Sequence, residues 1–511
     1  MSTSYKTQPS RLAKATKGVQ WNSWSIGAAT VLAGLTAQTY FAPGPVHKSA
    51  PSIESCLNNV CAGRSDCLQF PSQKNAGEDT WMAPFNLGRT VTPAAIVRPK
   101  DAQEIANIVR CAAKHGVKVQ ATAGGHGWGN YGLGGEDGAV SVDMEHFQYT
   151  QDSSSNNIIV GGGTRLGQID EHLGTSQRAI PHGMCFGIGI GGHATVGGIG
   201  PMSRMWGTTL DHVVEVEVVT ANSSVVRASS EENSDLFFAM RGAGAGFGIV
   251  TEFVMSTHLA PSSVIHLSQS HLYSHPAEVA DVLHTWQSVA TDPALDKRFS
   301  TEMIFSPSGA RISSTWVGSE AELEQSGILS RIQIAGVSIT TRQETWKSSL
   351  AHLAAEEALH TASTPNKLYS KSLALSSSDV LSRTEIASML GSLPAELMEE
   401  NWSIKFQAAG GAVAEVPVGS TSYAHRDKVM FYQSYAPDAS KTTRTILGDF
   451  HRKLMNALPE ATGTYPGFVD TELRDAQRSY WGSGLAALED IKTHWDPKDI
   501  FHNPQSVSAR T

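Results

Sequence analysis

The chain has no long run of basic residues. Its 39 Lys and Arg are scattered among 48 Asp and Glu for a formal net charge of −9, and without a basic stripe there is no electrostatic footprint for nucleic acid. Charged residues are sparse, 17% against 40% hydrophobic, a balance that excludes disorder for the chain as a whole. There is no internal repeat, no low-complexity tract and no Walker-type phosphate loop. The histidines and cysteines follow no familiar zinc spacing. What these absences leave is small-molecule chemistry, in a chain of 511 residues with room for two or more cored domains.

Cysteine is scarce as well, with five in all. Cys56, Cys61, Cys67 and Cys111 fall early and permit three pairings, of which Cys56 with Cys111 and Cys61 with Cys67 is favoured. Such pairs suit a chain that enters the secretory route. Lys6, Arg11, Lys14 and Lys17 precede the uncharged "WNSWSIGAATVLAGLTAQTYFAPGP". That order reads as a secretory signal or a single membrane anchor, with a disordered tail as the alternative. The protein is accordingly expected to be secreted or membrane-anchored, with an intracellular location as the alternative. Cys185 is left without a partner.

Glycine is what the chain has in excess. Of 47 glycines, 26 lie between Gly124 and Gly248, among β-rich runs such as "AVSVDM", "NIIVGGG", "VVEVEVV" and "GIVTEFVM". That density means tight turns, or backbone lying against a large ligand. Just before it, "AAIVRP", a helical spacing of Ile105, Ile108, Val109 and Ala112, and the alternating "VKVQAT" form a βαβ-like unit. Beyond "THLAPSS" strand-like runs ("STEMIFSP", "ARISSTWVG", "KVMFYQSY") alternate with helical ones, the pattern of an α+β domain. "GLAALEDIKTHWDPKDIF" reads as a final helix closed by Asp496 and Pro497.

"GIGIGG" at 187–192 and "GAGAGFG" at 242–248 look like dinucleotide fingerprints, but neither is expected to open a helix, which argues against a Rossmann fold. Their backbone N–H groups remain available to phosphates. His126, His182, Cys185 and His193 allow three readings by themselves: a metal site, a histidine-activated thiol nucleophile, or a small packed cysteine.

The motifs in combination say more. "ATAGGHGWGNYGLGG", "AIPHGMCFGIGIGGHATVGGIGPMSRMWGTTLDHV", "NSDLFFAMRGAGAGFGIVTEF", "SYAHRD" and "IKTHWDPKDIFHNPQSV" resemble, in order and separation, the berberine-bridge-enzyme-like FAD-linked oxidases, most closely the glucooligosaccharide-oxidase branch. The resemblance implies an α+β fold, with a two-part PCMH-type FAD-binding domain over residues 52–261 and a substrate domain with an antiparallel sheet over 262–460. Residues 461–511 return to the FAD side, and 1–51, the signal, anchor or disordered segment, precede the resemblance. It implies FAD bonded at the 8α carbon by His126 and at C6 by Cys185, with Gly124, Gly125, Gly127, Gly189, Gly192, Gly248 and Ile249 against the cofactor. The implied partners are a small-molecule substrate, whose hydride passes to flavin N5, and molecular oxygen or another electron acceptor. No metal is implied.

The chain departs from the family's pattern at the reacting end. Phe468, in "YPGFVD", stands where sugar-oxidising members carry a tyrosine base, Trp128 replaces a second tyrosine, and Gln407 replaces an aspartate. Gln433 matches a polar residue of the sugar cleft, and Tyr432 is the expected replacement acid/base. Three residues after the cysteine, Ile188 replaces the valine common in oxidases. Fewer hydrogen-bonding groups and more aromatic surface favour an apolar secondary metabolite over an oligosaccharide, since each buried hydroxyl left unpaired costs about 1–3 kcal/mol. Oligosaccharide oxidation is the alternative, and a non-redox cyclase or binding module the third reading.

Overall fold

The computed structural model describes residues 52–71, 81–153, 156–334, 336–358, 364–458 and 463–510. The signal, anchor or disordered segment expected over 1–51 lies outside them. The βαβ-like stretch begins with strand Ala95–Val97 and ends with Val119–Thr122, and both pair in parallel with Val140–Asp143 between them. Helix Ala102–His115 makes the crossover. Asp101 starts it by accepting from the Glu104 N–H at 2.8 Å, a cap that stabilises by about 1 kcal/mol. Gly116, at φ 67°, ends it in the left-handed region that a residue without Cβ enters freely. Strand Leu68–Gln69 completes a four-stranded sheet. Both favoured disulfides are formed, Cys56–Cys111 tying helix Ile53–Cys61 to the crossover helix and Cys61–Cys67 closing a short loop.

A second, antiparallel sheet runs in the order Thr150–Asp152, Asn157–Gly161, Ile249–Ser256, Val213–Val219, Val225–Ser229. Helices Ile190–Val196 and Ser234–Ala243 pack on it, with Ile190, Ala194, Leu236 and Met240 buried against Val216, Val218 and Phe253. One expectation is corrected here: "GIGIGG" does open a helix, Ile190–Val196. Glycine is a poor helix former, but burying Ile190 and Ala194 outweighs that local preference. The sheet beneath is antiparallel, so no Rossmann unit results.

The third sheet has seven antiparallel strands: Thr340–Glu344, Val264–His271, Gly309–Val317, Phe299–Ser306, Ser403–Ala408, Met430–Pro437 and Leu368–Leu375. One face is covered by helices Ala280–Ala290, Arg383–Leu390 and Lys441–Ala457, which bury Met303, Ile404, Phe406, Met430 and Tyr432. The period of two sends the alternate residues, Glu302, Lys405, Gln407 and Gln433, to the other face.

Buried cations join the sheets. Arg204, 5% exposed, donates to the carbonyls of Phe299 (2.8 Å), Leu295 (3.1 Å) and Ala409. Arg426 pairs with Asp211 at 2.6 Å. In the C-terminal helix Leu485–Trp495, fully buried Lys492 donates to Gly246 O (2.7 Å), Phe501 O (2.9 Å) and Asp496 Oδ2 (2.7 Å).

Candidate active site

Between the first two sheets and the open face of the third lies a cleft of about 380 Å³. His126 and Cys185 both border it. His126 lies just past strand Val119–Thr122, its ring stacked on Phe85 with centroids 4.4 Å apart. The turn carrying Cys185 is closed by Ile188 N–H donating to Cys185 O at 3.1 Å. The two segments press together, for a Cβ on Gly187 would stand 2.7 Å from His126 Nε2. Burial, with the charge of Arg165 second, lowers His126 to about 4, so its imidazole is neutral with a free lone pair at physiological pH. Cys185 is a free thiol. Burial pushes it up to about 11; Glu357 adds to the effect and Lys405 opposes it.

All seven backbone residues read as cofactor contacts border this cleft, but they serve different ends. At Gly127 and Gly192 an added Cβ meets no protein atom within 4 Å, so a side chain there would fill cleft space. Gly124 and Gly189 instead hold two loops against each other, since a Cβ on either would lie 2.2 Å from the other's backbone nitrogen. Gly125 has φ 69°, Gly248 is pressed against Val218, and Ile249 is buried.

On the opposite wall stand Gln407 and Gln433. Gln433 is 4% exposed and its Nε2 has no hydrogen-bond partner among the described residues. Trp128 and Phe468 stack beside them at 6.2 Å, and Trp128 reaches Tyr435 at 5.6 Å. Tyr465 lines the cleft, but its hydroxyl accepts from Gly198 N–H at 2.8 Å, and burial raises it to about 12.

Tyr432 is not in the cleft. It is fully buried on the helix-covered face, packed between Phe406 and Phe450 at 5.5 and 6.0 Å, so the expectation of a replacement acid/base there is corrected. Tyr432→Phe is expected to leave flavin reduction within about twofold of the parent, because the lost hydroxyl faces helices and not the cleft; a rapid-mixing measurement at saturating substrate checks it. Two charged residues of the wall, Lys405 and Glu357, were missed. Lys405 was within reach, since it shares a strand face with Gln407 two residues on. Glu357 closes a helix from elsewhere in the chain and gives no local signal.

The FAD binding domain family matches residues 93–229, and the berberine and berberine-like family residues 464–508; both ranges contribute to the cleft. FAD-linked oxidoreductase sorD of Penicillium rubens is 36% identical over 473 residues, 90% of this chain and 99% of that protein. The chain belongs to the berberine-bridge-enzyme-like FAD-linked oxidoreductases. Chitooligosaccharide oxidase of Gibberella zeae is 29% identical over 94% of this chain and 98% of its own length. A solved structure on the functional roles of the 6-S-cysteinyl, 8α-N1-histidyl FAD in glucooligosaccharide oxidase from Acremonium strictum superposes with a TM-score of 0.79. It is 28% identical, over 90% of this chain and 100% of that one. The berberine-like chain is thus an FAD-dependent oxidoreductase, and its cleft suits the cofactor. The space left by Gly127 and Gly192, the neutral imidazole and the unpaired thiol all meet there.

Proposed function

We propose that the protein holds FAD through both His126 and Cys185 and oxidises an apolar alcohol, a secondary metabolite, by two electrons. The observation that carries the substrate class is the stacked pair Trp128 and Phe468 in the cleft wall. It gives apolar surface where a sugar would need hydroxyl partners. The bound flavin would supply the two-electron acceptor. Of this chain's residues, His126 and Cys185 would fix the cofactor from two sides, and the free Nε2–H of Gln433 would donate to the substrate oxygen. Gln407, beside it, would hold the same group in line.

Oligosaccharide oxidation is the second reading, favoured by the amides of Gln407 and Gln433 and by the relatives that carry that name. Anaerobic mixing of the yellow protein with vanillyl and other aryl alcohols on one side, and cellobiose, chitobiose and xylobiose on the other, separates the two. Bleaching of the flavin band by the aryl alcohols is the expected result. Bleaching by sugars alone would overturn the metabolite reading.

Molecular oxygen is the proposed acceptor, reached slowly. Ile188 borders the cleft and packs into the core beneath it, and one methylene beyond valine narrows a tightly packed space. Ile188→Val is expected to speed reoxidation severalfold while flavin reduction stays within about twofold. Equal stopped-flow reoxidation rates would remove Ile188 as a gate. The two disulfides support the proposed secretory location.

A further inference from the structure

Beside Gln407 the cleft holds a group of charges that a purely apolar site has no use for. Lys405, its side chain 11% exposed, faces two carboxylates: Glu357 at 3.3 Å and Glu302 at 3.8 Å. Glu357 is the last residue of helix Trp346–Glu357 and borders the cleft with Lys405. Glu302, paired in register with Gln407, is set back from it. Arg311, whose charge also acts on Glu302, is engaged by Glu356, which also has His352 at 3.5 Å. One lysine is therefore shared by two carboxylates.

The titration follows that count. Burial lifts Glu302 to about 7; Lys405 and Arg311 pull against it, and Glu357 and Glu356 push with it. Lys405 is held charged, since its two carboxylates more than reverse the effect of burial. The charges of the same pair act on Cys185. A separate sign of a ligand is Gln433, buried in the wall with its unpartnered amide nitrogen.

We propose that Glu357 is the proton acceptor of the oxidation, standing in for the phenol that Phe468 displaces, and that Lys405 and Glu302 position it and carry the proton inward. This rests on the oxidase reading above. In the step, the substrate C–H bond breaks with its electron pair leaving for the flavin, the O–H bond breaks with its proton leaving for Glu357, and a C=O bond forms. Two electrons leave the substrate and two reach the flavin. Lys405 then gives a proton to Glu302 and takes the one on Glu357, which restores the carboxylate. Because the Glu302 carboxyl is raised, it is free to receive that proton above about pH 7 and already filled below, so restoration of the base, and with it turnover, slows as pH falls through neutrality.

Infrared titration of the flavin-loaded protein needs no substrate. A carboxyl deprotonating near pH 7 is expected in the parent and absent in Glu302→Gln; carboxyls that all deprotonate below pH 5 would overturn the relay. With the alcohol that bleaches the flavin fastest, Glu357→Gln is expected to slow reduction at pH 8 by about a hundredfold or more. Flavin content should be unchanged, with partial recovery in Glu357→Asp. Glu302→Gln should flatten the pH profile of turnover. The two failures are distinct: no bleaching of the parent by any compound overturns the oxidase reading, whereas a Glu357→Gln enzyme bleached at the parental speed overturns the base alone.

Discussion

Acid precipitation of the flavin-loaded protein is expected to leave the yellow colour in the pellet, and the double variant His126→Ala/Cys185→Ala to lose it entirely to the supernatant. The basis is the placement of a neutral imidazole and an unpaired thiol on two abutting turns that border one cleft. Each single variant should keep one bond, Cys185→Ala through the histidine and His126→Ala through the cysteine, and should differ from the parent in the absorbance of the bound flavin. Hydrogen at Gly187 is part of the same arrangement, since a Cβ there would meet the His126 ring. Free FAD in the supernatant of the unmodified protein would end the two-bond reading, whatever the activity.

Lys492→Met is the substitution expected to cost most stability. The ammonium is 0% exposed and holds Asp496 Oδ2 together with the carbonyls of Gly246 and Phe501. Removing it takes the cation from the carboxylates of Asp496 and Asp499 and the donor from two carbonyls, and breaking a buried pair from one side costs about 3–5 kcal/mol. Denaturant unfolding followed by intrinsic fluorescence checks this. Because Gly246 sits in the loop that borders the cleft, the variant should also take up FAD less completely. The paired substitution Lys492→Met/Asp496→Leu should not restore stability, because Asp499 Oδ1, 3.0 Å from the ammonium, still loses that partner and the N–H groups of Ile500 and Phe501 lose their acceptor; recovery in the pair would mean that the Asp496 charge dominates.

The elements readable from the sequence are those whose determinants lie close together. The crossover helix had its apolar spacing, Asp101 before it and Gly116 after it. The two disulfides join cysteines crowded into one region. The loops at Gly124 and Gly187 showed themselves because so few residue types tolerate contacts as near as theirs. Tyr432 failed for a definable reason: strand Met430–Pro437 lies between two other strands and is buried on both faces. Phe431, Tyr432 and Gln433 therefore carry no alternation of polarity to say which side faces the cleft. The helix at Ile190–Val196 was missed because its stability comes from the sheet beneath and not from its own glycine-rich composition. Glu302, Lys405 and Glu357 needed the order of the third sheet, where strand Phe299–Ser306 pairs with Ser403–Ala408 across a long stretch of chain, and no local window contains that.

The cleft's composition also fixes when it can be filled. Its walls take residues from Ala83 onward through Phe501, Asn503 and Ser506, and the loop at Gly246 is held from behind by Lys492. A ribosome that has released the first two sheets has made the histidine and the cysteine but not the closing side of the chamber. Domains fold in the order in which they emerge, yet here the early half must wait for the latest segment before it encloses anything. Cofactor loading is thereby expected to follow synthesis of the final helix, since a nascent chain stalled before it would carry His126 and Cys185 without a finished cleft around them.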